Sequence, residues 1–210
     1  MTSQKAKSNI VKDAMVLFVI TLVAGLALGF VYEITKPVIE ERALEAKTEA
    51  YKAVYKDVAK FVEDEELTDK IEESQAFLSS KGLNNITIDE VFVALDDSDN
   101  TLGHVMSVST GEGYGGKITI SLGYSMDGTV KGLEFLVLNE TVGFGSRAAE
   151  PDFKDQLIEK QVTEFVATKS GAASENEIDA LSGATITTEA VTGAVNAGIL
   201  FLNEFASGAN

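Results

Sequence analysis

Four stretches of the chain alternate apolar and polar residues with the period of two that half-buried β-strands show. They are ITIDEVFVALD (86–96), GHVMSVST (103–110), KITISLGYS (117–125) and VKGLEFLVLN (130–139). Asp127-Gly128 stands between the last two stretches, and this dipeptide favours the tight turn of a β-hairpin. The pattern therefore predicts a sheet of antiparallel strands that follow one another along the chain.

Helical patterns flank these strands. The stretch 38–78 is highly charged and places its apolar residues at helical spacing, which predicts a charged helical connector over residues 33–84. A second charged helix is predicted over 153–165. A closing helix is predicted from Thr187 to about Phe205, with the apolar stripe Val191, Val195, Ile199 and Leu202 and the small residues Ala190, Ala194 and Ala197. Strands in series with flanking helices predict an α+β domain rather than a doubly wound fold.

An uninterrupted apolar run precedes the charged connector. Residues 14–32 (AMVLFVITLVAGLALGFVY) contain no charged side chain. A helix of that length spans roughly 28 Å, close to the thickness of the hydrocarbon core of a bilayer. The run therefore predicts a transmembrane helix.

The flanking charges predict the direction of this helix. Lys5, Lys7 and Lys12 precede it against the single acid Asp13, so the positive-inside bias places residues 1–13 in the cytoplasm and the chain after Tyr32 outside. A cleaved signal peptide is the alternative, with Ala27-Leu28-Gly29 as its cleavage site. The apolar core is longer than the ~7–15 residues usual in signal peptides, which favours a retained anchor. Residues 85–210 then form the exterior domain.

Composition narrows the function classes. Acidic residues outnumber basic ones 33 to 17 among 210 residues, and a surface of that sign repels nucleic acids. The chain has no cysteine, which rules out disulfides, thiolate-held iron–sulfur clusters and covalent c-type haem. Its single histidine, His104, is expected to be satisfied on a strand surface rather than to ligate a metal.

Three loops rich in small residues carry the candidate chemistry. GEGYGGKI (111–118) precedes a strand, NETVGFGSRA (139–148) follows another, and LSGATITT (181–188) opens the closing helix. The first two are compatible with ordinary turns as well as with close approach of a ligand to the backbone. In the third, Ser182 is expected to be the N-cap, which places Thr185 at the third helical position, beside a helix end that favours phosphate.

The third loop resembles the flavinylation motif of the FMN-binding domain family. The matching residues are Asp179, Ser182, Gly183, Ala184, Thr185 and Thr187. In that family an ApbE-type flavin transferase transfers FMN from FAD to the last threonine of the motif through a phosphodiester. The resemblance therefore implies FMN attached covalently to Thr185.

The other two loops match the same family in the same order. GYGG contributes Tyr114 and Gly115, and ETVGFG contributes Glu140, Thr141, Gly143 and Phe144. The family usually has Glu-Thr-Pro-Gly-Leu-Gly in the latter loop, so Val142 and Phe144 depart from its pattern. The resemblance implies that both loops surround the flavin, with aromatic side chains available to stack on the ring.

With its anchor and exterior domain, the whole chain is similar to the G subunits of Rnf complexes. These membrane complexes couple electron transfer between ferredoxin and NAD to sodium or proton translocation. The resemblance implies an electron carrier that works with other Rnf subunits in the cell membrane. Three alternatives stay open: the C subunit of a sodium-translocating NADH:quinone reductase, a standalone anchored flavoprotein, and a non-redox sensor or adhesion domain.

Overall fold

The computed structural model describes residues 2–56 and 58–206 and divides the chain into two compact units, 1–45 and 46–210. Three sequence-based ranges therefore include residues outside the described ones: 1–13 includes Met1, 33–84 includes Asp57, and 85–210 includes residues 207–210. The helix α1 runs from Thr2 to Val54. Its apolar run is long enough to cross a membrane, and the apolar window is not buried inside the protein.

The second unit is built on a five-stranded antiparallel sheet in the order β1-β2-β3-β4-β5. The strands are β1 (Lys60–Glu63), β2 (Ile86–Leu95), β3 (Thr101–Thr110), β4 (Ile118–Ser125) and β5 (Val130–Leu138). The four strands predicted from alternation are confirmed as β2 to β5, and Asp127-Gly128 forms the predicted β4–β5 turn with Gly128 at φ +88°. Neighbours in sequence are neighbours in the sheet, as expected for hairpin-connected strands.

Helices and short elements complete the unit. They are α2 (Glu65–Ser80), a 3-10 helix (Gly145–Ala149), α3 (Pro151–Lys154), the parallel strand pair β6 (Val166–Thr168) with β7 (Glu177–Asp179), and α4 (Thr185–Phe205). The α+β prediction is confirmed by this arrangement of an antiparallel sheet with flanking helices.

Two helix predictions are wrong in part. The helical pattern of 38–78 is interrupted by β1, whose residues pair with β2 from Lys60↔Leu95 to Glu63↔Phe92. The helix predicted over 153–165 is reduced to the four residues of α3, because the chain then joins the sheet edge through the bridge Val130↔Lys160. In both places long-range pairing replaces the local helical pattern.

Helix α4 covers one face of the sheet. Its predicted stripe and its three predicted alanines are all buried, and they pack with Met106, Val108 and Leu122 of β3 and β4. The helix begins at Thr185, two residues before the predicted start. This helix is itself apolar enough to pass a test for membrane spans, but it is mostly buried in the unit, as a core helix is.

The end of α1 packs on the opposite face of the sheet. Tyr51, Val54 and Tyr55 form a second buried cluster with Ala94 and Val105. The Tyr51 hydroxyl donates to the Glu90 carboxylate, and the Tyr55 hydroxyl donates to the Leu102 carbonyl at 2.7 Å. Residues 46–54 are therefore part of the folded unit that contains the sheet.

A close backbone approach fixes this helix end. A Cβ added at Gly132 of β5 would lie 2.5 Å from both the Cα and the carbonyl oxygen of Val54. We expect Gly132→Ala to destabilise the second unit by about 1–3 kcal/mol, the usual cost of overpacking, because backbone atoms must move. Denaturant unfolding followed by circular dichroism measures this. Gly193→Ala is the control, because an added Cβ there meets side-chain atoms rather than backbone, the nearest being Cδ1 of Ile86 at 3.2 Å. Equal stabilities of the two variants would contradict the prediction.

His104 lies on β3, but it is buried rather than on the surface as predicted. Its Nε2 is 3.5 Å from Oδ2 of Asp64, and Oδ1 of Asp64 accepts from the N–H of Leu67 as the N-cap of α2. Burial is the main effect on the pKa of His104 and lowers it, with Asp64 opposing that shift. A neutral imidazole against a capping carboxylate is a structural contact between β3 and α2.

Candidate cofactor site

The first turn of α4 is the start of the candidate site. The first intrahelical hydrogen bond runs from the N–H of Thr188 to the carbonyl of Ala184 at 3.0 Å. The N–H groups of Thr185, Ile186 and Thr187 precede it and belong to the turn that has no intrahelical acceptors. Such a turn attracts anions, because its N–H groups are free to donate hydrogen bonds and it carries the positive end of the helix dipole.

The predicted capping of this helix is wrong. Ala184, not Ser182, is the N-cap, and it makes no side-chain capping bond. Thr185 is therefore the first helical residue rather than the third. The reason is a tight turn, in which the N–H of Ala184 donates to the carbonyl of Leu181 at 2.9 Å, with Gly183 at φ +79°. This turn carries Ser182 out to solvent.

The threonines of the motif differ in accessibility. Thr188 is buried, and its hydroxyl accepts from the N–H of Leu181 and donates to the carbonyl of Ala184, both at 3.0 Å. Thr187 is also buried, at 1% exposure. Thr185 is half-buried and lines a cavity. Of these three threonines, Thr185 is therefore the most exposed.

A cavity of about 530 Å³ opens at this helix end. Its volume falls within the range of ligand pockets. All three small-residue loops contribute to its wall, which comprises Tyr114, Glu140, Thr141, Phe144, Gly145, Gly183, Ala184, Thr185, Ile186 and Thr187. The structure therefore brings together three segments that are distant in sequence.

Large apolar side chains at the cavity are left in contact with solvent. Tyr114 is 72% exposed, Phe144 54% and Ile186 50%, and Val142 of the same loop as Phe144 is 87% exposed. The Phe144 ring lies over Gly183, where an added Cβ would be 3.2 Å from Cδ1. We call Tyr114, Phe144 and Ile186 the apolar rim. Exposed apolar groups around a concave site are typical of ligand or partner contacts.

Glu140 lies where the loops meet. Its Oε1 is 2.9 Å from the position of a Cβ on Gly113, and its Oε2 is 2.6 Å from that of a Cβ on Gly145. The Cβ position on Gly145 is also 2.6 Å from Oγ1 of Thr187. Oε1 is buried and has no hydrogen-bond partner within residues 2–56 and 58–206. A buried acceptor without a donor is costly, so this carboxylate is suited to a ligand that supplies one.

Comparison with known proteins agrees with this geometry. Residues 113–199 match the FMN-binding domain family, and residues 1–54 match the RnfG N-terminal region. The G subunit of the Na⁺-translocating ferredoxin:NAD⁺ oxidoreductase complex of Acetobacterium woodii is 32% identical over 191 residues, which is 90% of this chain and 89% of that protein. The chain belongs to the RnfG family.

Two further RnfG relatives cover nearly the whole chain. The G subunit of the proton-translocating ferredoxin:NAD⁺ oxidoreductase complex of Clostridium ljungdahlii is 24% identical, over 99% of this chain and 100% of its own. The G subunit of the ion-translocating oxidoreductase complex of Methanosarcina acetivorans is 28% identical, over 93% and 95%. Membership of RnfG confirms the predicted resemblance to the G subunits of Rnf complexes.

Solved structures of the quinone-reductase C subunit also match part of the RnfG chain. NqrC of Shewanella oneidensis is 24% identical, with a TM-score of 0.47 over 56% of this chain and 60% of that one. The C subunit of the Na⁺-translocating NADH-quinone reductase from Parabacteroides distasonis is also 24% identical, with a TM-score of 0.48 over 57% and 63%.

The residues of this RnfG chain fit an FMN group. The helix end suits its phosphate, the apolar rim suits its ring, and the unpartnered oxygen of Glu140 suits a ring N–H or a ribityl hydroxyl. The carboxylate of Glu140 and the hydroxyl of Thr187 lie so close to Gly145 that a methyl group on its Cα would not fit.

Eight of the residues that the sequence proposes line the cavity, and four do not. Ser182, Gly115 and Gly143 belong to its loops but are not part of its wall. Asp179 ends β7, where its Oδ1 accepts from the N–H of Ala172 at 2.6 Å and its N–H donates to Oε1 of Gln156 at 2.6 Å. Its position indicates a structural role in presenting the loop.

Ile186 is a wall residue that sequence reasoning missed, and Gly145 was predicted only as part of the ETVGFG loop. Ile186 lies between two motif threonines, and Gly145 ends the ETVGFG match. Ile186 could be placed in the first turn of α4 only if the helix was known to begin at Thr185. Nothing in the sequence distinguishes Gly145 from Gly143, since the difference is the tertiary approach of Glu140 and Thr187.

We expect Gly145→Ala to disturb the cavity strongly. Its Cβ would enter the space of Glu140 Oε2 and Thr187 Oγ1, so these side chains must move. The measurement is the visible spectrum of the flavin-loaded protein, which should shift from that of the unsubstituted protein. Gly171→Ala is the control, because no atom lies within 4 Å of its Cβ position and Gly171 is not part of the cavity wall, although its φ of +93° adds some backbone strain. A shift as large in Gly171→Ala would contradict a specific role of Gly145.

Proposed function

We propose that this chain is the electron-carrying G subunit of a membrane ferredoxin:NAD⁺ oxidoreductase complex of the Rnf type. The observation that carries the proposal is the cavity formed by the three loops of the FMN-binding domain at the first turn of α4. The relatives are named as subunits of such complexes, so the proposed partners are other Rnf subunits. The ion moved by the complex is sodium or a proton.

The proposal includes a covalent link at Thr185. The hydroxyl oxygen of Thr185 attacks the FMN phosphorus of FAD, the phosphoric anhydride bond breaks, AMP leaves, and the hydroxyl proton passes to solvent. The product is a phosphodiester between FMN and the threonine. An ApbE-type flavin transferase is the proposed catalyst. The half-buried position of Thr185 supports this choice over Thr187 and Thr188, whose side chains are buried.

A covalent link suits a carrier outside the cytoplasmic membrane. A noncovalent cofactor stays bound only while free ligand is present near its dissociation constant. The phosphodiester removes that dependence where free FMN is not maintained. The bound flavin supplies reversible electron transfer.

The side chains of this protein bind and orient the group. In the proposal the N–H groups of the first turn of α4 face the phosphodiester. Tyr114 and Phe144 would contact the ring, Glu140 and Thr141 would bind its polar atoms, and Gly143 would shape the loop that carries Phe144. No separate substrate chemistry is assigned to the chain.

We also propose that the chain is a single-pass membrane protein with its domain outside. Residues 14–32 span the membrane, residues 1–13 are cytoplasmic, residues 33–84 connect and residues 85–210 bind FMN. The exposed apolar side chains of α1, such as Leu26 at 67% and Leu28 at 71%, support a lipid environment for this segment. Lys5, Lys7 and Lys12 support the orientation.

Co-expression with an ApbE-type transferase tests the flavin proposal. We expect the full-length protein to be yellow. The intact mass of the denatured protein should exceed that of the unmodified chain by one attached FMN. Expression without the transferase is the control and should give the unmodified mass. A colourless protein of unmodified mass in the presence of active transferase would favour the non-redox sensor or adhesion alternative.

A further inference from the structure

The chemistry of the cavity wall constrains the orientation of a bound flavin ring, an inference that rests on the proposed function. The wall is chemically asymmetric. Its inner part holds the Glu140 carboxylate between Gly113 and Gly145, whereas its outer part is the apolar rim of Tyr114, Phe144 and Ile186. The isoalloxazine ring is asymmetric in the same sense, with a polar pyrimidine edge and an apolar dimethylbenzene edge.

The unpartnered oxygen of Glu140 requires a donor. An ionised carboxylate only accepts hydrogen bonds, and the described residues supply none to Oε1. The pyrimidine edge of the flavin carries one N–H, at N3, between two carbonyl groups. Glu140 is part of the cavity wall, so a ring bound in the cavity can bring its N3–H to this carboxylate. Ring N3–H and Glu140 are complementary for this reason.

The apolar rim is complementary to the dimethylbenzene edge of the flavin ring. Tyr114, Phe144 and Ile186 are each at least half exposed, although they are large apolar groups. Contact with the dimethylbenzene edge would remove part of this apolar surface from water, which is favourable. The reverse orientation would place two methyl groups against a buried carboxylate and leave its oxygen without a donor.

We propose that the flavin ring binds with N3–H donating to Glu140 and with its dimethylbenzene edge at the apolar rim. Electrons then enter and leave through the dimethylbenzene edge, the part of the ring that lies at the cavity mouth. In this arrangement Glu140 is a positioning residue for the ring and, as a carboxylate beside it, disfavours the added negative charge of reduction.

Flavin analogues test the outer edge without any substitution in the protein. The transferase attaches the 8-chloro analogue from 8-chloro-FAD to the full-length chain, and intact mass verifies the attachment. Thiophenolate then displaces chloride at C8, so a C–S bond forms and the C–Cl bond breaks. We expect a rate close to that of free 8-chloro-FMN. A rate suppressed by orders of magnitude would place the dimethylbenzene edge inside and overturn the proposal.

The contact between N3–H and Glu140 is tested by changing the flavin and the side chain separately and together. The reduction potential of the attached flavin is measured for FMN and 3-methyl-FMN in the unsubstituted protein, Glu140→Ala, Glu140→Gln and Glu150→Ala. We expect Glu140→Ala to raise the reduction potential. In this variant the potentials of attached FMN and 3-methyl-FMN should differ only as much as those of the two free flavins. Glu140→Gln keeps an acceptor and should retain part of that effect. Glu150→Ala removes an exposed carboxylate outside the cavity wall and should match the unsubstituted protein.

The outcomes separate this inference from the proposed function. Absence of flavin from the unsubstituted protein would refute the covalent proposal itself. Attached flavin whose response to the 3-methyl group is unchanged in Glu140→Ala would refute only the N3–H contact, and would indicate a ribityl hydroxyl as the donor.

Discussion

Thr185→Val is expected to abolish covalent attachment of FMN completely. Valine has nearly the shape of threonine but lacks the hydroxyl that would form the phosphodiester. The exchange is at the first helical residue of a half-buried site, so the fold should be preserved. The measurements are intact mass and flavin fluorescence of the band on a denaturing gel after co-expression with the transferase.

Two control variants make this result specific. Ser182 is exposed and does not cap α4, so Ser182→Ala should be flavinylated like the unsubstituted protein. Thr188→Val removes a buried hydroxyl that bonds to Leu181 and Ala184, and should lower stability by about 1–3 kcal/mol without removing the attachment site. A fluorescent band in Thr185→Val would show that Thr185 is not the acceptor.

External protease is expected to remove the whole C-terminal domain from intact spheroplasts. The reason is the positive-inside bias of Lys5, Lys7 and Lys12, which predicts that the chain after Tyr32 lies outside. An epitope tag at the N-terminus should stay protected until the membrane is permeabilised. Immunoblots against the tag and against the domain measure both ends of the same chain.

The same experiment distinguishes a retained anchor from a cleaved signal peptide. A retained anchor predicts one membrane-bound band that carries both the tag and the domain before protease is added. Cleavage near Ala27-Leu28-Gly29 would separate the tag from the domain, and protection of the domain in intact spheroplasts would reverse the orientation.

The sequence by itself determined the elements that depend on local patterns. Alternation predicted β2 to β5, and the dipeptide Asp127-Gly128 predicted their last hairpin turn. Continuous apolarity predicted the membrane-length run of α1, and the small residues of α4 predicted its close packing on the sheet. The resemblance of residues 179–187 to a motif of the FMN-binding domain family led to the correct family, because these residues are close together in the chain.

The tertiary structure decided whatever depends on contacts between distant residues. Strand β1 forms because its backbone pairs with strand β2. The chain after α3 is not helical because Lys160 pairs with Val130. The turn at Gly183 moves the start of α4, which removes Ser182 from the cap and leaves Thr185 accessible while Thr187 and Thr188 are buried. Likewise, the unpartnered oxygen of Glu140 arises only when Gly113 and Gly145 approach it, since burial is a property of the assembled loops and not of any one segment.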